Sequence, residues 1–158
     1  MPAPAIGRVV KDFKAPVTGT APFHLKSIRG KNVVLYFYPK DATPGCTKEG
    51  LAFNELLARF KRANTVVYGV SKDSLASHDK FRDKQGYRFE LIADEDGKVC
   101  ELFDVIKEKN MYGRKFMGIE RSTFLIDASG KLAAEWRKVK VAGHAEAVLE
   151  AAKALPKA

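Results

Sequence analysis

Between residues 33 and 38 the chain reads Val-Val-Leu-Tyr-Phe-Tyr, six apolar or aromatic side chains without a charge. A strand with one wet face would alternate, so the unbroken run predicts a strand covered on both faces. Pro39 has no amide hydrogen to give a sheet and ends it. Residues 65–70, TVVYGV, repeat the pattern, and 89–92 make a third, shorter run. Between the runs the period changes to that of a helix. Phe53, Leu56, Leu57 and Phe60 recur at i, i+3, i+4 and i+7, which predicts one helix over about 47–62 with its apolar stripe against a sheet. The stretch 71–74 supplies caps for a second helix that runs to about Gln85 and stops at Gly86.

The later chain changes character. A turn at 94–97 leads into a short helix over 98–103, and its acids suit helix capping better than a calcium loop, whose alternating oxygens and distal Glu are missing. Residues 106–118 hold two glycines and four basic residues with no clean period, and read as a long surface loop. Residues 121–126 and 131–137, joined across 127–130, predict an antiparallel hairpin. An alanine-rich amphipathic helix over 143–155, with Val148 and Leu149 inward, closes the chain. At the other end, 11–17 and 23–25 form short strands or an edge hairpin, and 27–31 turn into the first buried strand. Parallel strands early and antiparallel strands late predict an α/β sandwich, a mixed sheet flanked by helices.

Length bounds this to a single domain over 1–158, and 46% apolar residues is ordinary globular composition. The start of the chain lacks the charged and apolar regions of a secretory signal, and no run could span a bilayer, so no membrane partner and a cytoplasmic protein are expected. The formal charge of +9 raises a nucleic-acid hypothesis. Its distribution counters it, because cations and acids are mixed throughout, as in Lys80-Phe81-Arg82-Asp83-Lys84, and no RNA-recognition strand motif occurs. A solvated basic surface that steers an acidic reductase or anionic substrate fits better. The three histidines, His24, His78 and His144, are far apart and read as exposed or capping residues. Neither cysteine belongs to a Cys-x-x-Cys pair, so no metal or other cofactor is expected and thioredoxin-type exchange is disfavoured.

The chemistry centres on Cys46. Thr43 is a good N-cap residue and Pro44 suits the first helical position, which puts Cys46 in the first turn. Free amides and the positive end of the helix dipole favour a thiolate there. Cysteines so placed, with a cationic neighbour, ionise at roughly 3.5–7.5 instead of ~8.5, the reactive form for nucleophilic work. The bland alternative is a small buried hydrophobe after a turn.

The stretch Pro39-Lys40-Asp41-Ala42-Thr43-Pro44-Gly45-Cys46-Thr47-Lys48-Glu49 resembles the active-site signature of the peroxiredoxins, and its wording is closest to the bacterioferritin comigratory, or Q-type, subfamily. The likeness continues through Asp94-Glu95-Asp96-Gly97-Lys98-Val99-Cys100 and Arg121-Ser122-Thr123-Phe124-Leu125-Ile126-Asp127, in the family's order. It implies a thioredoxin-like fold and a thiol-dependent peroxidase acting on hydrogen peroxide and organic hydroperoxides, monomeric and reduced by thioredoxin, glutaredoxin or glutathione. Cys46 is then the nucleophile. Thr43 offers its hydroxyl to the peroxide, Pro39 shields the sulfur, and Arg121 favours the thiolate and stabilises charge on the leaving oxygen. Tyr38 lines the pocket in this reading, and Glu49 holds Arg121 or complements the helix dipole.

One position departs from the family. Many members carry a resolving cysteine five residues after the first, where this chain has Leu51. A one-cysteine cycle reduced by an external thiol is expected, with Cys100 as resolver after local unfolding the alternative. A thioredoxin-fold redox sensor or interaction module remains the reading from another class.

Overall fold

The computed structural model describes residues 3–19 and 22–156. Its centre is a five-stranded sheet in the order β5-β4-β3-β8-β9. The middle strand is β3, Asn32–Phe37, buried at every residue as its unbroken apolar run predicts. It pairs in parallel with β4, Thr65–Ser71, which pairs in parallel with β5, Glu90–Ala93. On its other side it pairs antiparallel with β8, Ser122–Ile126, and β8 with β9, Leu132–Trp136. The parallel-then-antiparallel order read from the sequence is therefore the observed one.

Because side chains alternate across a strand, β3 feeds two cores. Val33, Leu35 and Phe37 join one cluster. Val34 and Tyr36 join the other, which Tyr38 enters just past the strand's end. The second cluster is roofed by α1 (Pro44–Glu55), α2 (Leu57–Arg62), α3 (Leu75–Gln85) and α5 (His144–Lys153), through Phe53, Phe60, Phe81, Val148 and Leu149. Crossovers from β3 to β4 and β4 to β5 step in one direction, and crossovers of one hand then place their helices on one face. The opposite face is closed by α4, Lys98–Leu102, and by the first part of the chain, where β1, Lys14–Ala15, pairs antiparallel with β2, Phe23–His24. The expected edge hairpin is present, although Thr20 and Ala21 of its connection lie outside the described residues.

Two sequence expectations need correction. The single helix expected over 47–62 is two, because Leu56 leaves the helical basin (φ −94°, ψ 3°) between α1 and α2. Phe53 and Phe60, both wholly buried, enter the same core from either side of that break. The loop expected over 106–118 is a two-stranded ribbon, β6 (Ile106–Met111) against β7 (Arg114–Ile119), outside the main sheet. Its turn places Tyr112 (φ 52°) and Gly113 (φ 79°) in left-handed backbone, as a tight two-residue hairpin requires. Because most of the ribbon's side chains lie off the core, no apolar alternation marks them in the sequence.

Candidate active site

The sheet delivers Cys46 to its place through the loop that follows β3. Pro44 and Gly45 are the first two helical residues of α1 after the N-cap Thr43, so Cys46 is the third, and Thr47 N already donates to Thr43 O at 2.9 Å. Thr43 caps with its backbone alone. Its Oγ1 donates to Lys40 O at 2.9 Å, which ties the loop to itself and leaves the hydroxyl oxygen's lone pairs uncommitted by that bond. Tyr87 fixes the helix from outside: its hydroxyl donates to Thr47 O at 3.0 Å, and its ring packs so tightly on Gly50 that a Cβ there would stand 2.2 Å from the phenol oxygen. Cys46 itself is 2% exposed.

Arg121 reaches this sulfur from the position just before β8, 75 positions away in sequence. Its Nη2 lies 3.4 Å from Cys46 Sγ, and its Nη1 donates to Glu49 Oε1 at 2.5 Å. The bare Cα of Gly45 gives the guanidinium room, since a Cβ would stand 3.2 Å from Nη2. Cys46, Glu49 and Arg121 are thus one cluster, with Glu49 one turn along α1 from the sulfur. Burial pushes the Glu49 carboxyl up to about 7, against the downward pull of Arg121. Its other oxygen, Oε2, and the nearby Tyr36 hydroxyl are buried without a protein partner. Beneath the cluster His144 meets Thr123 Oγ1 at 2.7 Å, and burial together with Arg121 lowers it to about 4, so it is neutral. Pro39 is half-buried at the strand end, beside the loop it begins.

Tyr38 shares the core of Cys46, but its hydroxyl is engaged elsewhere. It donates to Asp41 Oδ1 at 2.6 Å, while Asp41 Oδ2 receives Ser77 Oγ and His78 Nδ1, both at 2.8 Å. His78 Nε2 lies 2.9 Å from Ile92 O, and the Asp41 amide donates to Asp73 Oδ2 at 3.0 Å. Burial works upward on Asp41, yet the bonds from His78 and Tyr38 outweigh it and hold its carboxyl below the usual range. This network clamps the loop that precedes Cys46 to α3 and to the ends of β4 and β5, immediately before Ala42, which has the unusual φ of 65°. Nothing local in the sequence marks it: Asp41 stands in the motif without a role of its own, and His78, expected to be exposed or capping, is fully buried and bonded to Asp41. His144 is buried too, and His24 is half-buried against Asp12. The carboxylates and imidazole of Asp41, Asp73 and His78 are the right types for a cation and lie within 4.8 Å of one another. Both Asp41 oxygens, both His78 nitrogens and Asp73 Oδ2 already have protein partners, which is the pattern of a clamp.

Cys100 is in the other core. It sits in α4, wholly buried, on the sheet face opposite Cys46. Asp94 accepts the Val99 and Cys100 amides at 3.0 and 2.8 Å, the capping expected of this acidic turn. Burial first, and the Asp94 carboxylate second, push the Cys100 thiol far up. Leu51, where many relatives are expected to have a cysteine, is exposed on α1.

With this geometry in place, comparison with known proteins gives a consistent result. Residues 6–135 match the AhpC/TSA family. The chain belongs to that family. Within it, the peroxiredoxin Bcp of Xanthomonas campestris pv. campestris is 54% identical over 143 residues, covering 90% of this chain and 89% of that one. The Bcp of Bacillus subtilis is 45% identical over 148 residues, 94% of each. Among solved structures, a cysteine-to-serine variant of Xylella fastidiosa PrxQ superposes with a TM-score of 0.91 at 46% identity, covering 98% of each chain. Xanthomonas campestris peroxiredoxin Q gives 0.86 at 54%, covering 90% of each. This peroxiredoxin therefore falls in the bacterioferritin comigratory branch, with the thioredoxin-like fold of its neighbours.

Proposed function

We infer that this peroxiredoxin is a thiol-dependent peroxidase for hydrogen peroxide and organic hydroperoxides, with Cys46 as its nucleophile. The observation that carries the reading is the Arg121 guanidinium 3.4 Å from a sulfur in the first turn of α1. The Xanthomonas campestris relative supports it, having been solved as trapped intermediate and ligand complexes bearing on alkyl peroxide reduction.

In the reaction the Cys46 thiolate attacks the terminal oxygen of the peroxide. The O–O bond breaks, the sulfur becomes a sulfenic acid, and the leaving hydroxide or alkoxide takes up a proton. Arg121 stabilises the charge that develops on the departing oxygen, a term that a preorganised cation supplies without reorganisation. Thr43, with its hydrogen given to Lys40 O, presents lone pairs that accept the peroxide O–H. Pro39 restricts water at the sulfur, Glu49 holds Arg121 in place, and Tyr38 acts through Asp41.

The cycle is a one-cysteine cycle. Two observations support it: Cys100 is on the other side of the sheet with its thiol strongly disfavoured from ionising, and position 51 is a leucine. An external thiol, from thioredoxin, glutaredoxin or glutathione, then regenerates Cys46. We read the chain as one domain, monomeric and cytoplasmic. Among the described residues no helix is long and apolar enough to cross a membrane. Peroxide consumption with each thiol donor tests the function. Turnover that is lost in Cys46→Ser supports it, and undiminished turnover in that variant contradicts it. A stoichiometric burst without turnover points instead to a redox sensor.

A further inference from the structure

The ribbon β6–β7 carries an unusual concentration of exposed apolar side chains. Four of the eight exposed large hydrophobic side chains among the described residues are there: Met111, Tyr112, Phe116 and Met117, with Met111 58% and Tyr112 98% exposed. The pairing register separates its two faces, because side chains alternate. Lys107, Lys109 and Met111 stand opposite Gly118, Phe116 and Arg114, and the space over Gly118 is filled by Phe116 and Lys109 together. That face carries three cations, two large apolar side chains and no acid of its own. The other face carries Glu108, Asn110, Lys115 and Met117, with Lys115 paired to Glu108.

The acid-free face is also the one at the active site. β7 ends at Ile119, two residues before Arg121, and Lys109, partly buried there, lies near enough to Arg121 and Cys46 for their charges to act on it after the larger effect of its own burial. From there the face extends for about 20 Å at ~3.3 Å per residue. A peroxide or a small thiol has no use for so long a surface. A protein that must bring a thiol to a cysteine only 2% exposed does.

We propose that this face of the ribbon is the docking platform for an acidic dithiol protein that reduces oxidised Cys46. The proposal rests on the one-cysteine reading. The partner's thiolate attacks the sulfur of the sulfenic acid, an S–S bond forms, and the hydroxyl leaves as water with one proton. The partner's second thiolate then attacks its own sulfur of that mixed disulfide and releases Cys46 as a thiolate. Two electrons have passed, and the partner leaves as an internal disulfide. Met111 and Phe116 supply the apolar contact, while Lys109 and Arg114 attract the acidic surface and speed encounter.

Reduced thioredoxin, a small acidic dithiol protein, is the probe, and steady-state peroxide turnover is the readout. The double variant Met111→Ser/Arg114→Glu is expected to lower kcat/KM for thioredoxin about tenfold and to flatten its dependence on salt. Turnover driven by dithiothreitol should stay within about twofold in that variant. Lys115→Glu, an equal charge change on the other face, should leave both nearly unchanged. Equal effects of the two variants on thioredoxin, or no effect of either, would overturn the proposal while leaving the peroxidase reading intact. Sedimentation showing that the face joins two copies of this chain would also overturn it. Loss of dithiothreitol turnover in the wild-type protein would instead strike the peroxidase reading beneath it.

Discussion

The guanidinium of Arg121 meets Cys46 Sγ through Nη2 at 3.4 Å, while the same group holds Glu49 through Nη1. One cation, fixed by a buried acid, thus stands beside the sulfur, where the proposed attack develops charge. Arg121→Ala is expected to slow peroxide reduction by about 10²–10³, the size typical of losing one preorganised donor. Stopped-flow kinetics of the oxidation step measures this, and alkylation of Cys46 at neutral pH should slow as well. An unchanged rate in both would make Arg121 a structural residue.

The clamp between Asp41 and His78 predicts a different signature. Asp41→Ala removes the acceptor for Tyr38, Ser77 and His78 at once and frees the loop that carries Thr43. Peroxide reduction should fall by at least about tenfold, since misplacement of a reacting group by about 1 Å is costly. Alkylation of Cys46 by iodoacetamide, which needs no aligned pocket, should hold or rise. If both rates fell together with thermal stability, the clamp would be holding the fold alone.

Glu49 gives a pH-dependence whose sign can be worked out. Its carboxyl is raised in the folded protein from about 4.5 to about 7, so the native state keeps a proton that the unfolded chain has lost. The stability it contributes is full below about 4.5 and declines as pH rises to about 7, by at most ~3 kcal/mol at ~1.36 kcal/mol per unit. His144 works the other way: lowered to about 4, it costs stability as pH falls from about 6.5. Denaturant unfolding of Glu49→Gln against wild type isolates the first contribution. The difference between the two should shift in favour of the variant as pH rises from 5 to 7. A difference independent of pH would show that Glu49 does not titrate there.

What the sequence disclosed, and what it did not, follows from the range of the forces involved. The burial of β3 and β4 is written in contiguous apolar runs, and the caps of α1 and α3 lie within four residues of what they cap. Cys46 was legible for the same reason, because the loop that places it is local. Arg121 was found only through resemblance, since nothing near it in sequence indicates that it crosses 75 positions to a sulfur. The bonds between Asp41 and His78 span 37 positions and join residues that are each unremarkable in their own surroundings. The ribbon escaped because periodicity reports contact with a core, and most of its side chains have none. The break at Leu56 escaped because a single departure in backbone angle does not disturb an apolar stripe.

What Cys46 becomes after it is oxidised decides between the one-cysteine and two-cysteine cycles, and intact-protein mass spectrometry measures it directly. One equivalent of peroxide is added to the reduced protein without any thiol donor. The expected product carries one added oxygen on Cys46, is captured by a sulfenic-acid probe, and leaves Cys100 open to alkylation after unfolding, because the two sulfurs lie on opposite faces of the sheet. A mass lower by two hydrogens, with both cysteines blocked and the change abolished in Cys100→Ser, would contradict the one-cysteine cycle and make Cys100 the resolving residue.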